Sequence, residues 1–138
     1  MSVESRRAAR RQAVFLLYQR DVTGLPIVEL EGNAERDRAR VLDAYTRAMV
    51  TGVLEQIESI DAAIDRASSG WSVDRIAPLE RNILRVAIHE LSSREDIPAA
   101  VAIDEAVETA KRYCQADAAG FVNGVLGTVA HEIASAAS

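Results

Sequence analysis

The chain has 138 residues, 49% of them hydrophobic and 27% charged, a balance that suits one compact soluble domain and leaves little room for a separate catalytic module. Three Pro, seven Gly and six aromatic residues, beside abundant Ala and charged side chains, favour helix over sheet. A net charge of −5 has the wrong sign for nonspecific coating of nucleic acid, so any such contact has to be local. The single cysteine, Cys114, excludes an internal disulfide framework and suits a reducing compartment. No apolar stretch approaches the roughly 20 residues that span a bilayer, and Met1 to Arg11 lacks the apolar core of a signal peptide, so a cytoplasmic location is expected.

From Arg6 to Arg20 the apolar positions Ala9, Ala13, Leu16 and Leu17 recur at helical spacing and predict a first amphipathic helix, ending near Thr23-Gly24. Leu25 to Asn33 reads as a loop or a poorly formed turn. From Glu35 the series Leu42, Tyr45, Met49, Val53, Leu54 and Ile57 predicts a long second helix, and a short third covers Ala62 to Ala67. Ser68-Ser69-Gly70 is the clearest break and marks the boundary between an N-terminal helical half (about 5–68) and a C-terminal one (about 71–135) within one domain.

Beyond the break, Ser72 is a plausible N-cap for a short turn through Ile76. Pro78 suits the first turn of a helix carrying Leu79, Ile83, Val86, Ala87 and Leu91, expected to be the central buried one. After the Ile97-Pro98 turn, Ile103, Ala106, Val107 and Ala110 outline a helix ending near Cys114. Asp117 can cap the last, which carries Phe121, Val122, Val125, Leu126, Val129 and Ile133.

Two constellations bear on function. Arg6, Arg7, Arg10 and Arg11 crowd two turns with no acid among them and fall on a broad stripe opposite the apolar positions, so four guanidiniums are expected to face solvent together. The plain alternative is a solvated helix face. Against it, the like charges repel one another and oppose the helix dipole, a local cost that phosphates would relieve. Tyr113 and Phe121 flank the turn from Cys114 to Gly120 beside Lys111 and Arg112, and aromatic faces next to cations are what unpaired bases stack on. Here the alternative is that Phe121 is simply core.

Other patterns point away from chemistry. Gly120, Gly124 and Gly127 do not have phosphate-loop spacing and instead line one helix face, predicting a close helix crossing. His89 and His131 sit on separate helices without partners at metal-ligand spacing. Glu108 precedes Lys111 and Arg112 at the spacing of surface ion pairs, and no base is placed to activate Cys114. Neither a catalytic residue, a metal site nor a cofactor is expected.

Four segments in order carry a resemblance: Arg-Arg-Ala-Ala-Arg-Arg-Gln-Ala-Val-Phe-Leu-Leu-Tyr (6–18), Pro-Leu-Glu-Arg-Asn-Ile-Leu-Arg-Val-Ala-Ile-His-Glu-Leu (78–91), Ile-Pro-Ala-Ala-Val-Ala-Ile-Asp-Glu-Ala-Val-Glu-Thr-Ala-Lys (97–111) and Phe-Val-Asn-Gly-Val-Leu-Gly (121–127). Together they resemble the NusB family of transcription antitermination factors in order, spacing and length. The resemblance implies an all-α bundle of about seven helices in two small subdomains. It also implies binding to single-stranded boxA-type leader RNA together with ribosomal protein S10 (NusE), within the transcription elongation complex, without membrane attachment or catalysis. Position by position, it implies RNA contacts at Arg6, Arg7, Arg10, Tyr113, Asp117 and Phe121, with Lys111 added as a further phosphate partner, and partner contacts at Tyr18 and Glu80. Glu80 has a plain alternative as a first-turn complement to its helix dipole. Cys114, Ala118 and Gly120 depart from the family's usual Gly, Ser and basic residue, removing a hydroxyl and a cation from the RNA-binding turn. Two other readings stay open: a NusB-like accessory region of a ribosomal-RNA methyltransferase, and a helical interaction module without RNA affinity.

Overall fold

The computed structural model describes residues 3–137, and the side chains of 5–137. Among these lie seven α-helices and a short 3₁₀ turn: α1 (Val3–Thr23), α2 (Ile27–Arg38), α3 (Ala44–Glu55), α4 (Ile57–Ala67), the 3₁₀ turn (Val73–Arg75), α5 (Pro78–Ser93), α6 (Ala99–Tyr113) and α7 (Ala118–Ala136). No strand occurs among the described residues.

The whole arrangement is built around α5. Nine consecutive residues, Asn82–Glu90, are buried on every side of this helix, because α1, α3, α4, α6 and α7 all pack against it. A single apolar core joins Leu16 and Leu17 of α1, Met49 and Val53 of α3, Ile64 of α4, Leu84 of α5 and Leu126 of α7. Removing each such side chain from water contributes about 1.5–3 kcal/mol.

A helix buried all round cannot keep its polar residues in water, so they are paired inside. Arg85 binds Asp61 of α4 through two nitrogens at 2.8 and 2.9 Å, and Asp21 of α1 at 2.8 Å. The Asn82 amide donates to the same Asp21 carboxylate at 3.0 Å. Burial works against the charge on Arg85, but the Asp61 and Asp21 carboxylates outweigh it and raise its pKa. The network therefore ties helices from both sides of the Ser68–Gly70 break.

Where the chain departs from its periodicity, the reason is local. Residues expected as a loop form α2, which buries only Leu30 and Glu31 and so shows little apolar period. The expected long helix from Glu35 is three pieces. The first ends at Ala39, whose left-handed φ of 53° turns its N–H back to Arg36. The Glu35 carboxylate then accepts from the Leu42 N–H at 2.8 Å, and Asp43 caps α3 by accepting from the Tyr45 N–H at 2.7 Å. The second break falls at Gln56 and starts α4 five residues before the expected Ala62. Neither break contains Gly or Pro, the residues that mark such sites in sequence. Two expected caps are also absent: Ser72 makes no side-chain capping bond, and Asp117 adopts a helical backbone with none.

The glycine face of α7 is a further correction. Gly120, Gly124 and Gly127 are exposed, and a Cβ at any of them would meet nothing. The close crossing is instead at Gly52 of α3, where an added Cβ would fall onto the His89 imidazole. His89 is buried there, and its Nδ1 lies 3.1 Å from the Gln56 side-chain oxygen. Burial chiefly lowers its pKa, so it sits neutral against α3.

Candidate nucleic-acid interface

The four clustered arginines of α1 do not face solvent together. Acids distant in sequence reach three of them. Arg10 is 7% exposed and its Nε lies 2.7 Å from Glu90, itself 1% exposed. The Tyr45 hydroxyl also donates to Glu90, and burial together with that carboxylate pushes the Tyr45 pKa up to about 12. Arg10 is thus a buried strut joining α1 to α5, and its expected place on the open face is corrected. Arg6 stacks on the Tyr45 ring at 4.7 Å and lies 3.6 Å from Asp96. Arg7 grips Glu105 of α6 at 2.9 Å but remains about half open to solvent. The repulsion expected from sequence is therefore offset within the fold, by carboxylates of α5, α6 and the loop between them.

Arg11 is the member that no carboxylate pairs with among the described residues. Its guanidinium lies 6.0 Å from the centre of the Tyr113 ring, and Arg112 lies 5.6 Å from the same ring. Tyr113 is held edge-on against Phe15 of α1 at 5.1 Å, yet stays 41% exposed. A fixed, open ring flanked by two cations can stack a base while the cations meet its phosphates. Lys111, on the same last turn of α6, is exposed and pairs at 3.8 Å with Glu108, as its spacing predicts.

Phe121 and Asp117 lie at a second locus. Both line a groove with Glu80, Trp71, Arg75 and Gln115, so these two expected RNA contacts share a surface with an expected partner contact. Phe121 packs partly into the core and keeps one side toward the groove. Burial, then the nearby Asp117 charge, raises the pKa of Glu80. Burial and Glu80 likewise raise that of the Cys114 thiol, which stays protonated and unreactive. Tyr18 is half-buried on the stretch of α1 that Asp21 ties to Arg81 and Arg85 of α5, at 3.5 and 2.8 Å. Sequence reasoning gave no role to Trp71, which is 56% exposed at the groove's edge. Its signal was a large aromatic beside a Ser-Ser-Gly break, where no helix face exists to bury it.

Among the described residues no group of three His, Cys, Asp or Glu is placed to hold a metal ion, and no helix is long and apolar enough to cross a membrane.

Known proteins share this architecture along nearly its whole length. Residues 7–131 match the model of the NusB family. The chain is 45% identical over 122 residues to the transcription antitermination protein NusB of Rubrobacter xylanophilus, covering 88% of this chain and 87% of that one. It is 39% identical over 129 residues to the protein of the same name from Geobacter sulfurreducens, covering 91% and 94%. Among solved structures it resembles T. maritima NusB, at 36% identity and a TM-score of 0.80 over 92% of this chain and 91% of the other. It also resembles a chain in the crystal structure of antitermination factors NusB and NusE with double-stranded RNA, at 30% identity and a TM-score of 0.81 over 95% and 99%. On the family match, the two relatives and these structures together, the chain belongs to the NusB family.

Proposed function

We propose that this protein is a transcription antitermination factor that binds boxA-like single-stranded leader RNA jointly with ribosomal protein S10 (NusE), acts on the transcription elongation complex in the cytoplasm, and performs no chemical step. The observation that carries the reading is the match over 95% of the chain to a structure solved with NusE and RNA. The ring of Tyr113 between Arg11 and Arg112 supports RNA as the ligand. In this reading Arg7, Arg11 and Lys111 neutralise phosphates and Tyr113 stacks a base. Arg6 and Arg10 act by fixing α1 against α3 and α5, and Asp117 and Phe121 form the border between RNA and partner. Tyr18 and Glu80 meet NusE. The relatives' names favour this over a methyltransferase accessory region.

Phosphate contacts release counterions, about 0.7 unit of logarithmic salt slope per contact for a single strand. Arg7→Ala and Arg11→Ala are each expected to lower the slope of RNA binding by about that amount in a protein that still folds, with a modest fall in Tm for Arg7→Ala, which leaves Glu105 without its partner. Fluorescence titration of a boxA-like oligonucleotide across salt concentrations measures it. Unchanged slopes in both variants would remove α1 from the RNA surface.

A further inference from the structure

We infer that Arg38 and Arg40, at the turn between α2 and α3, form a second phosphate-binding strip that receives the RNA after it crosses α1. The inference rests on the RNA-binding reading above. The two arginines line a groove whose opposite wall is Ser5, Ala8 and Gln12 of α1. Both are exposed, and no carboxylate pairs with either among the described residues. Asp43, the acid in this groove, is engaged in capping α3 through the Tyr45 N–H at 2.7 Å. Other cations nearby are committed: Arg47 to Glu31 and Glu35, and Arg36 to Asn33. Two exposed guanidiniums side by side without a carboxylate partner concentrate positive potential in this groove and suit an anion.

The helix geometry connects this groove to the first strip. At about 100° per residue, Ala8 lies about 100° and Gln12 about 140° round α1 from Arg7, with Arg11 only about 40° away. The exposed surface of α1 therefore runs from Arg7 and Arg11 over the small side chain of Ala8 to Gln12 and the arginines beyond. A single strand stacked on Tyr113 can cross one helix, about 10 Å wide, and place later phosphates at Arg38 and Arg40. Complementing the dipole of α2 accounts for an arginine at position 38, in its last turn. It does not account for Arg40, which lies past the left-handed turn at Ala39. The strip supplies cations in a protein that lacks one at Gly120, where the resemblance expects it.

The test compares Arg38→Gln/Arg40→Gln, Arg38→Lys/Arg40→Lys and Arg7→Ala in the full chain, titrating one boxA-like single-stranded RNA between 50 and 200 mM salt. Loss of two phosphate contacts lowers the slope by about 1.4 units, so across this range the Gln pair should lose about sevenfold less affinity than the wild type. The Lys pair should keep the wild-type slope. Should the Gln pair melt early, Arg40→Gln alone carries the test with half the change. If the Gln pair keeps the wild-type slope while Arg7→Ala lowers it, the strip is refuted and the RNA reading stands. A Lys pair as deficient as the Gln pair also refutes it, because charge is then not what matters. If no variant changes the slope, the RNA reading fails and takes the strip with it. Weaker binding of NusE with an unchanged RNA slope would assign the patch to a protein partner and overturn the inference.

Discussion

Glu90→Ala is expected to destabilise the protein by about 3–5 kcal/mol, because it leaves the Arg10 guanidinium and the Tyr45 hydroxyl buried without their acceptor. Thermal or urea unfolding followed by circular dichroism would show it, as a fall in Tm of about 10 °C or more. Removing one partner of a buried pair costs far more than the pair itself contributes, since the remaining charge has no water. Arg10→Ala should be milder, because Glu90 keeps its hydrogen bond from the Tyr45 hydroxyl. The double variant Arg10→Met/Glu90→Leu should recover much of the loss, apolar side chains of similar size having no charge to desolvate. Full stability in Glu90→Ala would mean that α1 and α5 are not held through this carboxylate. The consequence for function is direct: loss of RNA binding in an Arg10 variant reports a displaced α1 rather than a missing phosphate contact.

The second large effect is on the partner. Glu80→Lys is expected to weaken association with NusE by about 2–5 kcal/mol, or about thirtyfold to several thousandfold, as charge reversal at a buried contact does. The fold should not suffer. Burial and Asp117 raise the Glu80 pKa, so its charge is unfavourable in the folded chain. A folded pKa above the unfolded one means that native Glu80 holds its proton longer, so stability falls as pH rises through that interval and the carboxylate is a burden above it. Lysine would meet Asp117 with the opposite charge and relieve that burden. Calorimetry with NusE measures the loss, and a melting curve checks the fold. Normal affinity in the variant would leave Glu80 as no more than a first-turn acid.

Much of this was legible in the sequence because it depended on period. The apolar positions of α5, α6 and α7 repeat every three to four residues, and Pro78 and Pro98 mark the starts of α5 and α6. What was not legible depended on pairs far apart in the chain. Nothing near Arg10 announces Glu90, 80 residues away, or near Arg7 announces Glu105, 98 away. Local reading therefore counted four unopposed charges where three are opposed. The glycines misled for the same reason: three at helical spacing face open solvent, while the isolated Gly52 is the one a neighbour presses on. Within the candidate site, Tyr113 was visible from its cationic neighbours. Arg11 emerged as the member of its cluster without a carboxylate partner only once Arg10 was seen to point inward to Glu90.

If this chain and NusE recognise RNA jointly, each strengthens the other's hold on it. The most direct test is titration of a labelled boxA-like single strand with the protein alone and with equimolar NusE, at one fixed salt concentration. Weak, strongly salt-dependent binding is expected for the chain alone and binding at least tenfold tighter with NusE present, about 1.4 kcal/mol or more of coupling. Equal affinity in both titrations, or no binding that responds to salt in either, would contradict it.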